Sequence, residues 1–288
     1  MKKIRLVWKK IRDAIFHPLA FLRYVSMFSE YRQGQNFAFR GFPATGADAG
    51  RLEDRSELLS FFLDKPHRGM TKWLHYCEAY EPHFAQLRAT RKPLRILEIG
   101  VFSGGSLQMY QSYFKDVTLE IVGVDIDPEC RSFQSDGVVV EIGDQEDRSF
   151  WKRFKDRHPP FDMVIDDGGH ATEQQISSFE SLIDHVAPGG VYIIEDLLSP
   201  WNRFGAYLAG LCSGLHQRVD NSRGTVTPQA IQKFVLRAEI LPYAVIFKTR
   251  SLNERPGELS SPWKGTSWTA TATRLFQQGN NGQFPPTT

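Results

Sequence analysis

Two pairs of adjacent acidic residues, each at the end of a short apolar segment, are the residues best suited to chemistry. Asp166-Asp167-Gly168-Gly169-His170 follows the apolar run 161–165, and Glu195-Asp196 follows 191–194. If both runs are parallel strands, their carboxyl ends meet at the sheet edge where open α/β sheets bind ligands. Adjacent carboxylates repel unless a cation or hydrogen-bond donors lie between them, and histidine exchanges protons near neutral pH. The pattern favours a catalytic site over a turn of solvated acids.

A glycine-rich turn follows another predicted strand, 95–99. The turn Gly100-Val101-Phe102-Ser103-Gly104-Gly105 leads to a helix predicted to begin near Ser106. Glycines let the backbone approach a bound molecule, and a helix amino end offers free N–H groups. The next predicted strand, 120–124, is followed by Asp125, about 20 residues beyond the glycines, where such folds bind a nucleotide ribose. The pattern indicates a nucleoside cofactor.

Glu98 distinguishes between the two reactions that a nucleoside cofactor suggests, hydride transfer and methyl transfer. It directly precedes Ile99-Gly100. A carboxylate at this position would repel the pyrophosphate of a dinucleotide, whereas S-adenosylmethionine has no phosphate and carries an ammonium and a sulfonium. Methyl transfer is therefore the favoured reaction.

The elements that must position these residues alternate between strands and helices. A third strand, 138–142, precedes Gly143-Asp144-Gln145 and a helix with an apolar stripe. After the first acidic pair, 172–175 matches a capping box, which starts a helix and leaves His170 in the loop above it. Pro188-Gly189-Gly190 is predicted to turn the chain into the fifth strand. Two final strands, 236–240 and 244–249, are predicted to pair in antiparallel fashion.

This alternation predicts an α/β fold, a Rossmann-like, doubly wound, seven-stranded and mostly parallel sheet with an N-terminal helical extension. We expect a basic amphipathic helical segment at 1–30, a linker and short helix at 31–64, the main domain at 65–250 and a flexible tail at 251–288. The helix before the first strand has an apolar stripe that is predicted to be mostly core. The stripe consists of Trp73, Tyr76, Cys77, Tyr80, Phe84 and Leu87.

Composition excludes several classes of protein. The 288 residues are 41% hydrophobic and 24% charged, as in ordinary globular proteins. The three cysteines are widely spaced and form no Cys-x-x-Cys or Cys/His cluster, which argues against a disulfide framework or a zinc site and favours a reducing cytoplasm. No run of about 18 apolar residues occurs, so no membrane-spanning helix is predicted.

The basic charge is concentrated at the amino end. Residues 1–23 contain seven Lys or Arg residues against one acid, Asp13. Apolar residues at three- and four-residue spacing in 2–16 predict a basic amphipathic helix, which suits either an anionic membrane surface or packing on protein. A signal peptide is disfavoured, because charges and Pro18 interrupt the apolar region and no clear cleavage site follows.

Together these motifs resemble those of class I S-adenosylmethionine-dependent methyltransferases. They are similar in particular to the metal-dependent sugar O-methyltransferases of macrolide biosynthesis, the mycinamicin type. The resemblance covers roughly residues 65–250. It rests on Leu97-Glu98-Ile99-Gly100 with Gly104-Gly105-Ser106, on Gly123-Val124-Asp125-Ile126-Asp127, on the two acidic motifs, and on Thr71-Lys72 with His75-Tyr76 and Tyr80.

The resemblance implies a role for each site residue. Asp167, Glu195 and Asp196 would hold Mg²⁺, with Asp166 as the alternative to Asp167, and His170 would be the base. The implied contacts with S-adenosylmethionine are Asp125 at the ribose, Asp144 or Gln145 at the adenine edge, Glu98 with Gly100 at the methionine end, and further contacts from Ser103, Gly104, Asp166, Lys72 and Tyr76.

The expected substrate is a sugar hydroxyl of a glycan or glycoside. The basic amino end favours a cell-surface or lipid-linked polysaccharide, methylated in the cytoplasm on the inner face of the membrane and with residues 1–28 on that membrane. A soluble natural-product glycoside is the alternative, and a non-catalytic S-adenosylmethionine-binding assembly module is a third reading. A nucleic-acid substrate is disfavoured, because the basic patch lies on one terminal helix and no Asn-Pro-Pro-Tyr-like tetrapeptide follows the fourth strand. A homo-oligomer is left open.

Overall fold

The computed structural model describes residues 28–38, 56–64, 68–198, 202–216 and 230–251. The chain divides into two units, Met1–Gly50 and Arg51–Thr288. In the first unit the described part is a single helix, α1, Phe28–Ala38, none of whose residues is buried. The second unit contains the sheet and all of the described site residues.

A seven-stranded sheet forms the centre of the second unit, in the order β3-β2-β1-β4-β5-β7-β6. Strands β1 to β5 are mutually parallel, and β7 pairs antiparallel with both β5 and β6. The strand order reverses between β1 and β4, which creates the crevice where such sheets bind ligands. The strands are β1 Leu94–Ile99, β2 Leu119–Asp125, β3 Val138–Ile142, β4 Phe161–Asp166, β5 Val186–Ile194, β6 Val235–Leu241 and β7 Ala244–Thr249.

Helices cover both faces of the sheet, because adjacent strand residues point to opposite sides and both sides are apolar. Ile96, for example, packs in the cluster that includes residues of α2, α3 and α4, whereas Leu97 packs in the cluster that includes residues of α5, α6 and α7. The remaining helices are α2 Glu57–Leu63, α3 Leu74–Ala89, α4 Gly105–Tyr113, α5 Arg148–Arg157, α6 Thr172–Leu182, α7 Phe204–His216 and α8 Ala230–Phe234.

The predicted fold is confirmed, with three local differences. Strand β5 begins at Val186 rather than after Gly190, and the Pro188-Gly189-Gly190 segment lies where the pairing of β4 with β5 shifts register. Residues 31–38, predicted as linker, are helical in α1. Trp73, predicted to be core, precedes α3 and is 44% exposed.

Several predictions fall outside the described residues. The basic amphipathic segment 1–27, the stretch 39–55 and the tail from 252 onward are among them, so membrane binding by residues 1–28 stays a prediction. Within the described part of the chain, every helix is too short or too polar to cross a membrane.

Candidate active site

A crevice with a cavity of about 220 Å³ opens at the carboxyl ends of β1 and β4. Three segments enclose it: the turn 100–102 after β1, the loop 167–170 after β4, and the segment 69–72 that precedes α3. Asp196, just beyond β5, completes the wall. The predicted convergence of the two acidic motifs and the histidine is therefore present at the strand-order reversal.

The pleat of the sheet sends the acids of each pair to different places. Asp166 is the last residue of β4 and faces α6, where its carboxylate accepts hydrogen bonds from Ser178 Oγ and, at 2.6 Å, from Gln145 Nε2. Asp167 lies on the opposite side and lines the crevice. Because the two alternate, the ambiguity between them resolves in favour of Asp167 as the crevice residue.

Asp166 has a structural role in place of the predicted cofactor contact. It is fully buried, and burial raises its pKa to about 7 against the lowering effect of its hydrogen bonds. The Gln145 side chain also forms hydrogen bonds within the protein, since its Oε1 accepts the Gly169 N–H at 3.0 Å. The two side chains together fix the loop that carries His170.

Lys72 joins acids from two strands. Its Nζ lies 2.7 Å from Asp167 Oδ2 and 2.8 Å from both carboxylate oxygens of Glu195. Burial lowers the pKa of Lys72, but the charges of Asp167 and Glu195 outweigh burial and raise it well above its ordinary value. Lys72, whose contact with the cofactor stays a prediction, lines the crevice and lies between two predicted metal ligands.

A group of possible metal-ligand atoms lies at the crevice, and Glu195 is not part of it. One ligand atom from each of Asp167, His170 and Asp196 lies within 4.8 Å of the others. His170 Nε2 is 3.9 Å from Asp167 Oδ1 and 3.7 Å from Asp196 Oδ2. Carboxylate oxygens are the ligands that Mg²⁺ prefers. The donor set of Asp167 and Asp196 therefore fits a divalent cation, whereas both oxygens of Glu195 already contact Lys72.

Aromatic residues hold Asp196 in place. Trp73 Nε1 donates to Asp196 Oδ1 at 3.0 Å, and the Tyr76 hydroxyl accepts the Asp196 N–H at 3.2 Å. The Tyr76 hydroxyl also donates to the Tyr243 carbonyl at 2.9 Å. Tyr76, predicted to contact the cofactor, is buried and uses its hydroxyl to position Asp196.

Two residues that sequence reasoning missed support the histidine. Asn202 Nδ2 donates to the His170 carbonyl at 2.8 Å and to Gln175 Oε1 at 2.6 Å. Gln175 Nε2 in turn donates to the Glu195 carbonyl at 2.8 Å. These bonds connect the two acidic motifs and hold His170 at a φ of 52°, a conformation that costs a non-glycine residue free energy. No sequence pattern distinguishes a connecting asparagine from an ordinary loop residue.

Glu98, the predicted contact of the methionine end, is a buried carboxyl in β1. It is fully buried at the end of β1, where Oε1 accepts a hydrogen bond from Tyr110 and Oε2 has no partner among the described residues. Burial raises the pKa of Glu98 to about 7, although the charge of Lys72 opposes this. An orphaned carboxylate oxygen suits the ammonium of S-adenosylmethionine, as the sequence predicts.

Glycines bring the segments around the crevice into close contact. Gly100 has a φ of 91°, and a Cβ there would lie 2.1 Å from the carbonyl oxygen of Asp167. Gly104 has a φ of 72° and precedes α4, against which the 68–69 segment packs. Ser103, half-buried, lies beside Gly69. The glycine-rich turn is thus covered by the segment that leads to Lys72.

The predicted ribose and adenine residues lie on the adjacent strand ends. Asp125 Oδ2 accepts the N–H groups of Val101 and Phe102 at 2.8 and 3.0 Å. Burial raises the pKa of Asp125, but hydrogen bonds from the backbone N–H groups outweigh burial and lower it. Asp144 is exposed after β3, whereas Gln145 is buried, so Asp144 is the one of the two that can face an adenine edge.

Comparison with known proteins identifies the central part of the chain. Residues 97–197 match the family model described as a methyltransferase domain. The chain is 35% identical over 178 residues to an 8-demethyl-8-(2-methoxy-α-L-rhamnosyl)-tetracenomycin-C 3'-O-methyltransferase of Streptomyces olivaceus. It is 37% identical over 177 residues to the mycinamicin VI 2''-O-methyltransferase of Micromonospora griseorubida. These matches cover 59% and 58% of this chain and 42% of each relative.

A solved structure extends the likeness to the fold. The MycE methyltransferase from the mycinamycin biosynthetic pathway, in complex with Mg and SAH, is 28% identical with a TM-score of 0.56. The match covers 74% of this chain and 58% of that one. The resemblance predicted from the motifs is confirmed, although the chain spans less than half the length of these two curated relatives.

Proposed function

We propose that this chain, whose residues 97–197 match the methyltransferase-domain family model, transfers the methyl group of S-adenosylmethionine to a sugar hydroxyl of a natural-product glycoside. The observation that carries the proposal is the convergence of Asp167, His170 and Asp196 on one cavity beside the glycine-rich turn. A module that merely binds S-adenosylmethionine has no need of a histidine flanked by two carboxylates.

The relatives support a glycoside acceptor. Their names give as acceptors rhamnosyl tetracenomycins, mycinamicin VI and olivosyl-oleandolide, and the rhamnosyl and olivosyl groups are sugars. None of the five curated relatives is named for a polysaccharide substrate. A soluble natural-product glycoside, the alternative reading of the sequence, is therefore better supported than the cell-surface or lipid-linked polysaccharide that the basic amino end favoured.

The residues around the crevice divide into a donor side and an acceptor side. Glu98, whose Oε2 is unpaired among the described residues, would bind the ammonium of the methionine part, and Asp125 and Asp144 would face the ribose and adenine. Asp167 Oδ1 and Asp196 Oδ2 would hold Mg²⁺ next to His170. A divalent cation held by these two carboxylates would supply Lewis acidity, which would make a sugar hydroxyl beside His170 easier to deprotonate.

His170 takes the hydroxyl proton at Nε2 as the hydroxyl oxygen forms its bond to the methyl carbon. The carbon–sulfur bond breaks with its electron pair on sulfur, which leaves S-adenosylhomocysteine. Nε2 lies 3.9 and 3.7 Å from the carboxylate oxygens of Asp167 and Asp196, so a hydroxyl held beside those carboxylates would be within reach of the base. The Asn202 bond to the His170 carbonyl and the Gln145 bond to Gly169 N–H restrict this loop, so the reacting groups are positioned before the substrate arrives.

A methyl-transfer assay with isotopically labelled donor tests the proposal on a panel of rhamnosylated and olivosylated polyketides, with and without EDTA. Loss of the base costs roughly 10²- to 10⁴-fold in rate, so we expect His170→Ala to lose at least 100-fold while retaining S-adenosylhomocysteine binding. His216→Ala, at the exposed end of α7, is the matched control and should stay within about twofold. Full activity of His170→Ala would exclude histidine as the base.

A further inference from the structure

Two large aromatic side chains are exposed near the carboxylate of Asp196. Trp73 is 44% exposed and Tyr243 is 42% exposed. Their ring centroids lie 4.8 Å apart with the planes inclined at 41°. Exposed aromatics that touch each other next to a polar crevice are a common composition of ligand sites, in which ring surfaces supply contact area and a few polar groups fix orientation.

Both rings are held by their neighbours. The Trp73 indole N–H is bound to Asp196 Oδ1 at 3.0 Å, and the preceding residue, Lys72, is anchored between Asp167 and Glu195. Tyr243 lies in the β6–β7 turn at a φ of 63°, and its carbonyl accepts the N–H of Leu197 at 2.8 Å. Rings fixed in this way lose little conformational entropy when a ligand packs on them.

The Trp73 ring and the base, His170, both lie next to the carboxylate of Asp196. Trp73 contacts Asp196 through Oδ1, and His170 Nε2 lies 3.7 Å from Oδ2 of the same residue. A molecule with a hydroxyl directed at His170 therefore has the rest of its structure within reach of the indole. This placement makes the two rings neighbours of the acceptor rather than of the nucleoside part of the donor, whose predicted contacts Asp125 and Asp144 lie at the ends of β2 and β3.

We propose that Trp73 and Tyr243 form the acceptor subsite and pack against the C–H face of the sugar ring that is methylated. The inference rests on the proposed function and names its substrate contact. A pyranose presents one face of C–H groups, which carry partial positive charge and meet the negative face of an aromatic ring. A 6-deoxy sugar suits this platform best, because its methyl group adds apolar surface where a hydroxymethyl group would have to be desolvated.

Calorimetric titration tests the subsite separately from catalysis. The titrant is 8-demethyl-8-α-L-rhamnosyl tetracenomycin C, added to the full chain with S-adenosylhomocysteine and Mg²⁺ present. We expect Trp73→Ala and Tyr243→Asn each to weaken glycoside binding about 2- to 13-fold, the range for loss of one aromatic contact. Asparagine is chosen at 243 because it tolerates positive φ. The affinity for S-adenosylhomocysteine should stay within about twofold.

Leu74→Ala is the matched control, because Leu74 is 45% exposed and directly follows Trp73. Weaker binding in both aromatic variants, with Leu74→Ala unchanged, supports the subsite even if no methyl transfer occurs, in which case the proposed function fails alone. Unchanged glycoside affinity in both aromatic variants overturns the subsite and leaves the function standing. No binding of the glycoside to the unmodified chain overturns both.

Discussion

Replacement of Lys72 by methionine tests how the crevice stabilises its buried acids. The ammonium contacts both oxygens of Glu195 at 2.8 Å, and Glu195 is 1% exposed. Asp167, the other partner, keeps a 21% exposed side chain and can be hydrated when the lysine is lost. Removing one member of a buried ion pair typically costs 3–5 kcal/mol, because the remaining charge is uncompensated.

The free energy of unfolding that Lys72→Met loses has an upper limit that depends on pH. The reason is that the Glu195 carboxylate can become neutral by binding a proton. Burial already raises the pKa of Glu195 above its ordinary value of 4.5, and replacing Lys72 removes the charge and the hydrogen bonds that lower it. Keeping such a carboxyl protonated costs about 1.4 kcal/mol for each pH unit above 4.5. The limit is therefore about 5 kcal/mol at pH 8 and about 2 kcal/mol at pH 6. The destabilisation should shrink as the pH falls.

Urea unfolding followed by circular dichroism, in EDTA at pH 6 and pH 8, measures both values. The double variant Lys72→Met/Glu195→Gln should recover most of the stability at pH 8, because the charge of Glu195 is removed together with that of its partner. Lys155→Met is the control, since Lys155 forms a more exposed pair with Asp184 and should cost less than about 1 kcal/mol. Equal losses of unfolding free energy in Lys72→Met at the two pH values would refute this account of the Lys72–Glu195 pair, as would a double variant that is no more stable than Lys72→Met.

Three further predictions concern other parts of the chain. Asn202→Ala removes the bond to the His170 carbonyl, and we expect kcat to fall about tenfold with an unchanged KM for the donor in steady-state assays; equal kcat values would contradict the positioning role. The folded-state pKa of Glu98, about 7, exceeds its unfolded value, so Glu98 contributes a loss of up to about 3 kcal/mol of stability as pH rises from 4.5 to 7. Glu98→Gln should make the pH dependence of stability in urea unfolding correspondingly less steep and should weaken S-adenosylhomocysteine binding. Deletion of residues 1–28 should abolish flotation with anionic liposomes, and undiminished flotation would exclude the basic segment as a membrane contact.

Patterning of apolar residues was sufficient to predict the sheet. Strands β3 and β7 have the predicted bounds, and the others except β5 differ by one residue at one end or at both ends. The error in β5 arose because Pro188-Gly189-Gly190 is typical of a turn, whereas here the glycines lie within a strand where its pairing shifts register. The antiparallel pairing of β7 with β5 could not be predicted from the composition of the strands.

The location of the site was predictable, but the partners of its residues were not. Strand ends place Asp167, Glu195 and His170 at one edge, and alternation along β4 separates Asp166 from Asp167 once the strand's end is known. The contact of Lys72 with Glu195 joins residues 123 positions apart and depends on how α3 docks. Trp73 matched the apolar spacing of α3 but lies before its first turn, so spacing wrongly predicted it to be buried.

The central claim is that an imidazole between two carboxylates, beside a bound sulfonium, removes a proton from a sugar hydroxyl. The most direct measurement is transfer of a labelled methyl group from S-adenosylmethionine to rhamnosylated tetracenomycin by the unmodified chain and by His170→Ala, with product analysis of the methylated oxygen. We predict a methyl ether on a sugar oxygen, lost with EDTA and reduced at least 100-fold in His170→Ala. A product methylated on the aglycone, or equal rates in the two proteins, would contradict the account.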